Sequence, residues 1–500
     1  MFSAQRTLTM PAVSADPVAS SRISISVLVV IAAVIGPLRL FELVGDASYH
    51  DKQRILEIFC VVLVTLFSTF VLVRRDKIRL LHDRRSANFL ALFFLLGLVS
   101  SVVAYSPRHA LFECANFLLL IITSLLLASE ISAKGDSLLD KILLLCGLGC
   151  AIYILIEIII YVAVINVAGQ PSDLIFIFGF DNYRFLNHVQ TITLPLLGLF
   201  TIRSSDRKKK IFAWIVTSLW WTLLFVSAGR GTFIGILAGL CMAWICLRKD
   251  ALPWCRIMLL SALAGFGAYL LFYVLIPVLL GLQPFGLLLS VVSRTATNPD
   301  SSRLPLWIRA WEILVAHPWL GAGPLHFAHF GRTVQNGAHP HNWVLQIACE
   351  WGIPALLCLV AAIVLGFKKL LAVRQYLATA DIKNRLTLAA WLTTGVAILV
   401  DGLVSGLIVM PTSQLWIALY IGCAWGWVCS LAPAQSVAEV QLSIPGRVGG
   451  VLGMLTLLYF LGNGLWPEIQ NLPLHEEQAL QKTSYGEPML HPRIWRAGYF

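Results

Sequence analysis

Thirteen runs of about 20 predominantly apolar residues divide this chain, and nothing else in it constrains the fold as strongly. A helix rises 1.5 Å per residue, so about 20 residues cross the ~30 Å hydrocarbon core of a bilayer. The runs lie at 24–44, 55–73, 87–105, 110–129, 142–165, 188–203, 211–228, 232–247, 256–280, 345–367, 386–406, 413–431 and 448–466. They do not alternate apolar and polar residues, which excludes a transmembrane β-barrel. Composition agrees, since 58% of the 500 residues are hydrophobic and 13% charged. A soluble chain carries roughly 25% charged residues. The eleven cysteines sit inside or at the ends of the apolar runs, without the spacing of a zinc site or a disulfide framework. The expected fold is an all-α polytopic integral membrane protein of about 12–13 transmembrane helices with one large helical loop.

The loops alternate in basic content. Arg74–Arg85, Arg203–Lys210, Arg248–Lys249 and Lys368–Arg385 fall on one side. With the N-terminal tail, that side carries roughly twice the Lys and Arg of the other, so it is assigned to the cytoplasm. The expected organisation is then a cytoplasmic tail over 1–22 and nine spans within 23–280. An outer loop over 281–344, four spans within 345–466 and an outer tail over 467–500 complete it. If 448–466 only lay on the membrane, the C-terminus would return to the cytoplasm. The first apolar run is span-length and lacks a small-residue cleavage site, so no cleavable signal is expected. The net charge of +11 would suggest a nucleic-acid partner in a soluble protein. Distributed over loops as it is here, it speaks for membrane lipid instead, with no nucleic acid expected.

Glu113, Glu157 and Asp401 fall inside or at the edges of apolar runs, where charges are costly and often functional. Glu113 and Asp401 read as interfacial and partly hydrated, Glu157 as a neutral acid bonded to a neighbouring helix. Arg39 and Glu42 can pair on one helix face. No internal repeat or inverted pair of broken helices is visible, which argues against a secondary transporter.

The chemistry concentrates in residues 298–355. Arg303, Trp307, Ile308, Trp311, Ile313 and Leu314 have helical spacing, and His317-Pro318 ends that helix. Gly321–Pro324 (GAGP) is a tight turn, and a second helix starts near His341 and runs into the membrane. Such a loop is too long and too patterned for a connector. Arg303, Arg309 and Arg332 lie in it, and Arg184 and Arg230 lie on other segments assigned to the same side. Arg230 stands in SAGRGT, a break between two spans whose glycines allow close approach of a backbone or a phosphate. A guanidinium offers a fixed fork of donors matched to phosphate oxygens, although Arg230 can equally snorkel as a topological anchor. His339 and His341 can serve as a base for a hydroxyl, as structural groups, or as a helix cap. No set such as HExxH accompanies them, so no metal is expected.

These residues resemble a known family. His341-Asn342, nine residues and Gly352 are similar to the H-N-x9-G-x-x-G signature of the O-antigen ligase superfamily. That superfamily includes lipopolysaccharide O-antigen ligases, O-antigen polymerases and bacterial protein O-oligosaccharyltransferases. R-x3-W-x3-W followed by HPWLGAGP resembles its large outer loop, SAGRG its S-R-G element, and DNYRFLNHVQT (Asp181–Thr191) an outer segment of some members. The signature's last glycine is Ala355 here, and the 467–500 tail is an addition more usual in the protein-modifying members.

The resemblance implies a metal-independent glycosyltransferase without cofactor in the bacterial inner membrane, its active site facing the periplasm. It would move a glycan en bloc from undecaprenyl diphosphate to an acceptor hydroxyl, foremost on lipid A–core. His341 would be the general base, with His339 as helper or substitute. Arg230, Arg303 and Arg184 would hold the diphosphate, and Asn342, Arg332, His188 and Gln190 would contribute to substrate binding in second place. Transfer to Ser or Thr of a pilin or other periplasmic protein, and O-antigen or exopolysaccharide polymerisation, remain open within the family. A transporter of lipid-linked sugar is the alternative of another class, but it would place its charges along the bilayer midplane.

Overall fold

The computed structural model describes residues 24–38, 47–73, 78–81, 83–168, 177–282, 284–285, 289, 296, 303–335, 337–377, 381–432, 437–440, 442–482 and 491–500. The 1–22 tail, Arg39, Glu42 and most of 286–302 lie outside the described residues.

Each of the thirteen apolar runs carries helix. In chain order these are α1 (Ile25–Ile35), α2 (Tyr49–Val73), α3 (Arg84–Val103), α4 (Pro107–Lys134), α5 (Asp136–Ala168), α6 (Tyr183–Arg203), α7 (Arg207–Ser227), α8 (Arg230–Leu247) and α9 (Leu252–Leu270). After the loop helix α10 (Arg303–Ala316) come α11 (Trp343–Trp351), α12 (Ile353–Ala372), α13 (Ile382–Asp401), α14 (Pro411–Leu431), α15 (Ile444–Ile469) and a short α16 (Leu472–Gln481). Among the described residues, ten helical stretches are long and apolar enough to cross a membrane. One of these, Arg230–Leu279, turns a corner at Arg248–Ala251 and so contains two of the expected spans. α13 is not among these: Lys383, Asn384 and Arg385 stand in its first turn and Asp401 at its end, and Thr387, Thr393 and Thr394 are buried along it. The protein is an all-α polytopic membrane protein.

Small residues let the helices meet. Gly231, Gly235 and Gly239 recur every fourth residue along α8 and face α13. A Cβ on them would lie 2.3 Å from Asp401 Oδ1, 2.8 Å from the Ala397 carbonyl and 2.3 Å from the Thr393 carbonyl. Lipid is as apolar as leucine, so close backbone packing of this kind, not burial of apolar area alone, holds membrane helices together. Gly422 and Gly426 of α14 do the same against α4 beside Ser124 and Ala128.

The two ends of the bundle differ. At one end the basic loop before α3 pairs with the loop before α15 as an antiparallel two-stranded ribbon, Ile78–Leu81 against Val437–Val440. That ribbon was not legible in the sequence. Here Arg203 bridges Asp136 and Asp140 at 2.7 and 2.6 Å, and Arg385 meets Asp250 at 2.9 Å. α15 runs antiparallel to α4 from this end to the other, where Arg108 and His109 meet its Glu468.

Several expectations need correction. Glu113 and Asp401 are 4% and 2% exposed, so neither is interfacial and hydrated. Glu113 pairs with Arg493, and Asp401 accepts a hydrogen bond from Thr191 at 2.6 Å. Glu157 accepts from the Phe178 backbone N–H at 2.8 Å, a loop group and not a neighbouring helix. α2 begins at Tyr49, before the apolar run, and buries Asp51, Arg54 and Glu57. The helix starting after His341 does not continue into a span. It stops at Gly352, whose φ of 89° breaks it from α12.

Candidate active site

The end of the bundle away from the ribbon gathers most of the polar residues expected to act. The α7–α8 break is built first. Asn187 of α6 accepts from Ser227 Oγ at 2.6 Å through its side chain and from Thr232 Oγ1 at 2.9 Å through its carbonyl. Thr191, one turn on, bonds Thr232 at 2.7 Å. Gly229 lies against Asn187, where a Cβ would come within 2.6 Å, and Ala228 is left-handed with φ 48°. The chain therefore reverses tightly here and sets Arg230, exposed, at the start of α8.

The histidine loop is held from three directions. The indole N–H of Trp307, on α10, donates to the Pro340 carbonyl at 3.1 Å. Trp343 donates its backbone N–H to Gly402 at 2.9 Å and its indole N–H to Leu399 at 3.1 Å, fastening the start of α11 to the end of α13. Asn342 caps α11, its side-chain oxygen accepting from the N–H groups of Val344 and Leu345 at 3.0 and 3.1 Å. The turn Gly321–Gly323 then runs along the end of α11, with Ala322 and Gly323 donating to Cys349 and Glu350 at 2.9 Å. Gly352 passes so close to Trp319 that a Cβ would lie 2.2 Å from its carbonyl oxygen. Ala355, where the signature it resembles has glycine, is fully buried.

His339 and His341 stack with ring centroids 4.0 Å apart. His339 is 2% exposed, and neither of its ring nitrogens has a hydrogen-bond partner among the described residues. His341 keeps part of its surface open and takes φ 53°, a conformation uncommon without glycine. Its imidazole is held well below the ordinary histidine range, by enclosure in protein first, then by Arg303 and Arg184, and then by His188 and His491. His339 is lowered as well, by burial, His341 and Arg493 in that order. Arg184, Arg303, His188 and His339 thus lie within electrostatic reach of His341, and Asp401 lies within reach of the Arg303 charge.

Other expected residues stand elsewhere. Arg332 donates to the His329 carbonyl at 3.0 Å and acts on the His329 ring. The Gln190 amide donates to the Trp220 carbonyl at 2.9 Å, a helix-packing contact inside the bundle. The side-chain oxygen of Asn342 is taken by the helix cap. Sequence reasoning passed over Arg493, which is 1% exposed and reaches Glu350 and Glu113 at 2.7 and 3.3 Å. The only signal for it was the charge-bearing HPRIWRAGYF at the end of the tail.

Fold and site together define a polytopic helical membrane protein with a histidine and arginine site at one end of its bundle. Residues 214–360, from α7 through the break at Arg230 and the histidine loop into α12, match the O-antigen ligase family model, Wzy_C. Over that stretch the chain is similar to the O-antigen ligases, a family of glycosyltransferase-like membrane enzymes. Comparison with curated proteins gives no match.

Proposed function

We propose that the protein transfers a glycan en bloc from undecaprenyl diphosphate to a hydroxyl of lipid A–core at the periplasmic face of the inner membrane. The observation that carries this reading is the placement of His341. Its imidazole stacks on His339 with ring centroids 4.0 Å apart and lies within electrostatic reach of Arg303 and Arg184. In a single displacement the acceptor oxygen bonds to the anomeric carbon as the bond from that carbon to the diphosphate oxygen breaks. The acceptor proton passes to an imidazole nitrogen of His341, and the electron pair leaves on the lipid diphosphate. That leaving group needs its growing charge held, a task for Arg303 and Arg184, with Arg230 at the α8 terminus.

The same arginines tune the base. In the free enzyme enclosure in protein and then their charges disfavour imidazolium, which favours the free base at His341. A bound diphosphate screens them, and the imidazole gains basicity when a hydroxyl must be deprotonated. His339, with both ring nitrogens open, can relay or share that proton.

Residues 491–500 of the tail pack on the bundle, Arg493 bonding Glu350 and Trp495 bonding Glu468. The test is transfer by purified protein in nanodiscs, with an undecaprenyl-diphosphate-linked glycan and rough lipopolysaccharide. Glycan appearing on the core supports the reading. Glycan appearing on a pilin substrate or on a second lipid-linked repeat, but not on the core, replaces it with the corresponding alternative.

A further inference from the structure

We infer that residues 491–500 are a built-in strap of the active site, and that Arg493 is a positioning residue for the His339–His341 loop. The inference rests on the functional reading above, since it assigns those histidines to the chemistry.

The segment is not a surface tail, for every residue in it except Arg496 is buried. Its contacts reach the histidine loop from both sides. Upstream, the Tyr499 hydroxyl is bonded to the Gly337 backbone, and Gly498 packs against Ala338, where a Cβ would approach the alanine methyl to 2.9 Å. Gly498 has φ 77°, and a Cβ there would also collide with the His491 carbonyl. Downstream, the Arg493 guanidinium reaches Glu350 at 2.7 Å, on the last turn of the helix that His341 and Asn342 open. The other oxygen of Glu350 accepts from the Phe327 N–H at 2.9 Å. One ten-residue segment thus fixes the chain immediately before His339 and the far end of the helix immediately after His341.

The strap is itself anchored to the bundle. Arg54 donates to the Arg493 carbonyl at 3.0 Å, Arg496 N–H to Asp51 at 2.7 Å, and the Trp495 indole to Glu468 at 2.7 Å. The Phe500 ring stacks on His109 with centroids 4.1 Å apart. Arg493 is also the buried cation facing two buried carboxylates, Glu350 and Glu113. Its loss would leave both uncompensated, which is costly in any protein interior. A test must therefore separate lost charge pairing from lost positioning.

The experiment measures transfer kinetics and thermal unfolding of purified full-length protein in nanodiscs. The variants are Arg493→Lys, Tyr499→Phe and the neutral triple Arg493→Met/Glu350→Gln/Glu113→Gln. Transfer by wild type and its absence in His341→Ala establish the functional reading independently; if wild type is inactive, that reading has failed and not the strap. Misplacing a base by about 1 Å costs on the order of 100-fold. The neutral triple should accordingly unfold like wild type, yet lose about 10- to 100-fold in kcat with donor KM within about two-fold. Tyr499→Phe should lose about three-fold in kcat without a change in unfolding, and Arg493→Lys should fall between wild type and the triple. Wild-type kcat in both the folded triple and Tyr499→Phe would overturn the inference. If the triple does not accumulate, Tyr499→Phe decides alone, an unchanged kcat overturning it.

Discussion

His341 occupies a backbone conformation that costs a non-glycine residue energy, and the loop is fastened on both sides by tryptophans that hold it there. Its replacement by alanine should lower kcat by about 10²- to 10⁴-fold, the usual contribution of a general base, while the protein accumulates normally. Wild-type turnover in that variant would remove the assignment. The acid limb of kcat/KM follows from the lowered imidazole. A base must be unprotonated, and a depressed pKa keeps it so as pH falls, so the limb should lie below the ordinary histidine value of about 6.5. Arg303→Gln removes one of the charges responsible and should move that limb upward, whereas an unmoved limb would separate Arg303 from the base. Arg303→Lys keeps the charge and loses the fork, for an expected loss of about ten-fold or more in kcat/KM. At this scale residue type and spacing single out His339, His341, Arg303 and Arg184, which the fold brings within electrostatic reach of His341. The sequence does not reveal that the Gln190 amide bonds the Trp220 carbonyl or that Asn342 caps α11, since a polar side chain near a motif looks the same whether it faces substrate or packs a helix. Arg493 was invisible because its partners, Glu113 and Glu350, lie 380 and 143 residues away in the chain.

Gly352 is the hinge on which the site is mounted. With φ 89° and ψ 163° it occupies a region essentially closed to other residues, and the Trp319 carbonyl leaves no room for a side chain. Gly352→Ala should cost about 1–3 kcal/mol in strain alone, before the steric clash, read as a lowered unfolding temperature in detergent. An alanine variant as stable as wild type would show that α11 and α12 tolerate another junction. The helices themselves were legible as apolar runs, because in lipid every backbone group must be satisfied within a helix. Their boundaries were less so. α2 begins well before its apolar run because Asp51, Arg54 and Glu57 are paired inside the protein, and hydropathy sees only the charge. Pairing of helices was not legible either, although the four-residue recurrence of Gly231, Gly235 and Gly239 would have pointed to a close contact along α8.

Across the whole molecule, charges are divided by role. Arg203 and Arg385 lie at the ribbon end with acidic partners from other helices, in the loops that the basic bias assigns to the cytoplasm. At the other end the cations converge on the histidines and on the buried strap. This asymmetry gives the bundle two chemically different ends, one of which holds the proposed site. The most direct measurement is a lipopolysaccharide gel from a clean deletion strain complemented with wild type or with His341→Ala. The account predicts loss of the O-antigen ladder in the deletion strain, restored by wild type and not by His341→Ala. An unchanged ladder in the deletion strain would contradict it, and single-repeat bands in place of the ladder would identify a polymerase instead.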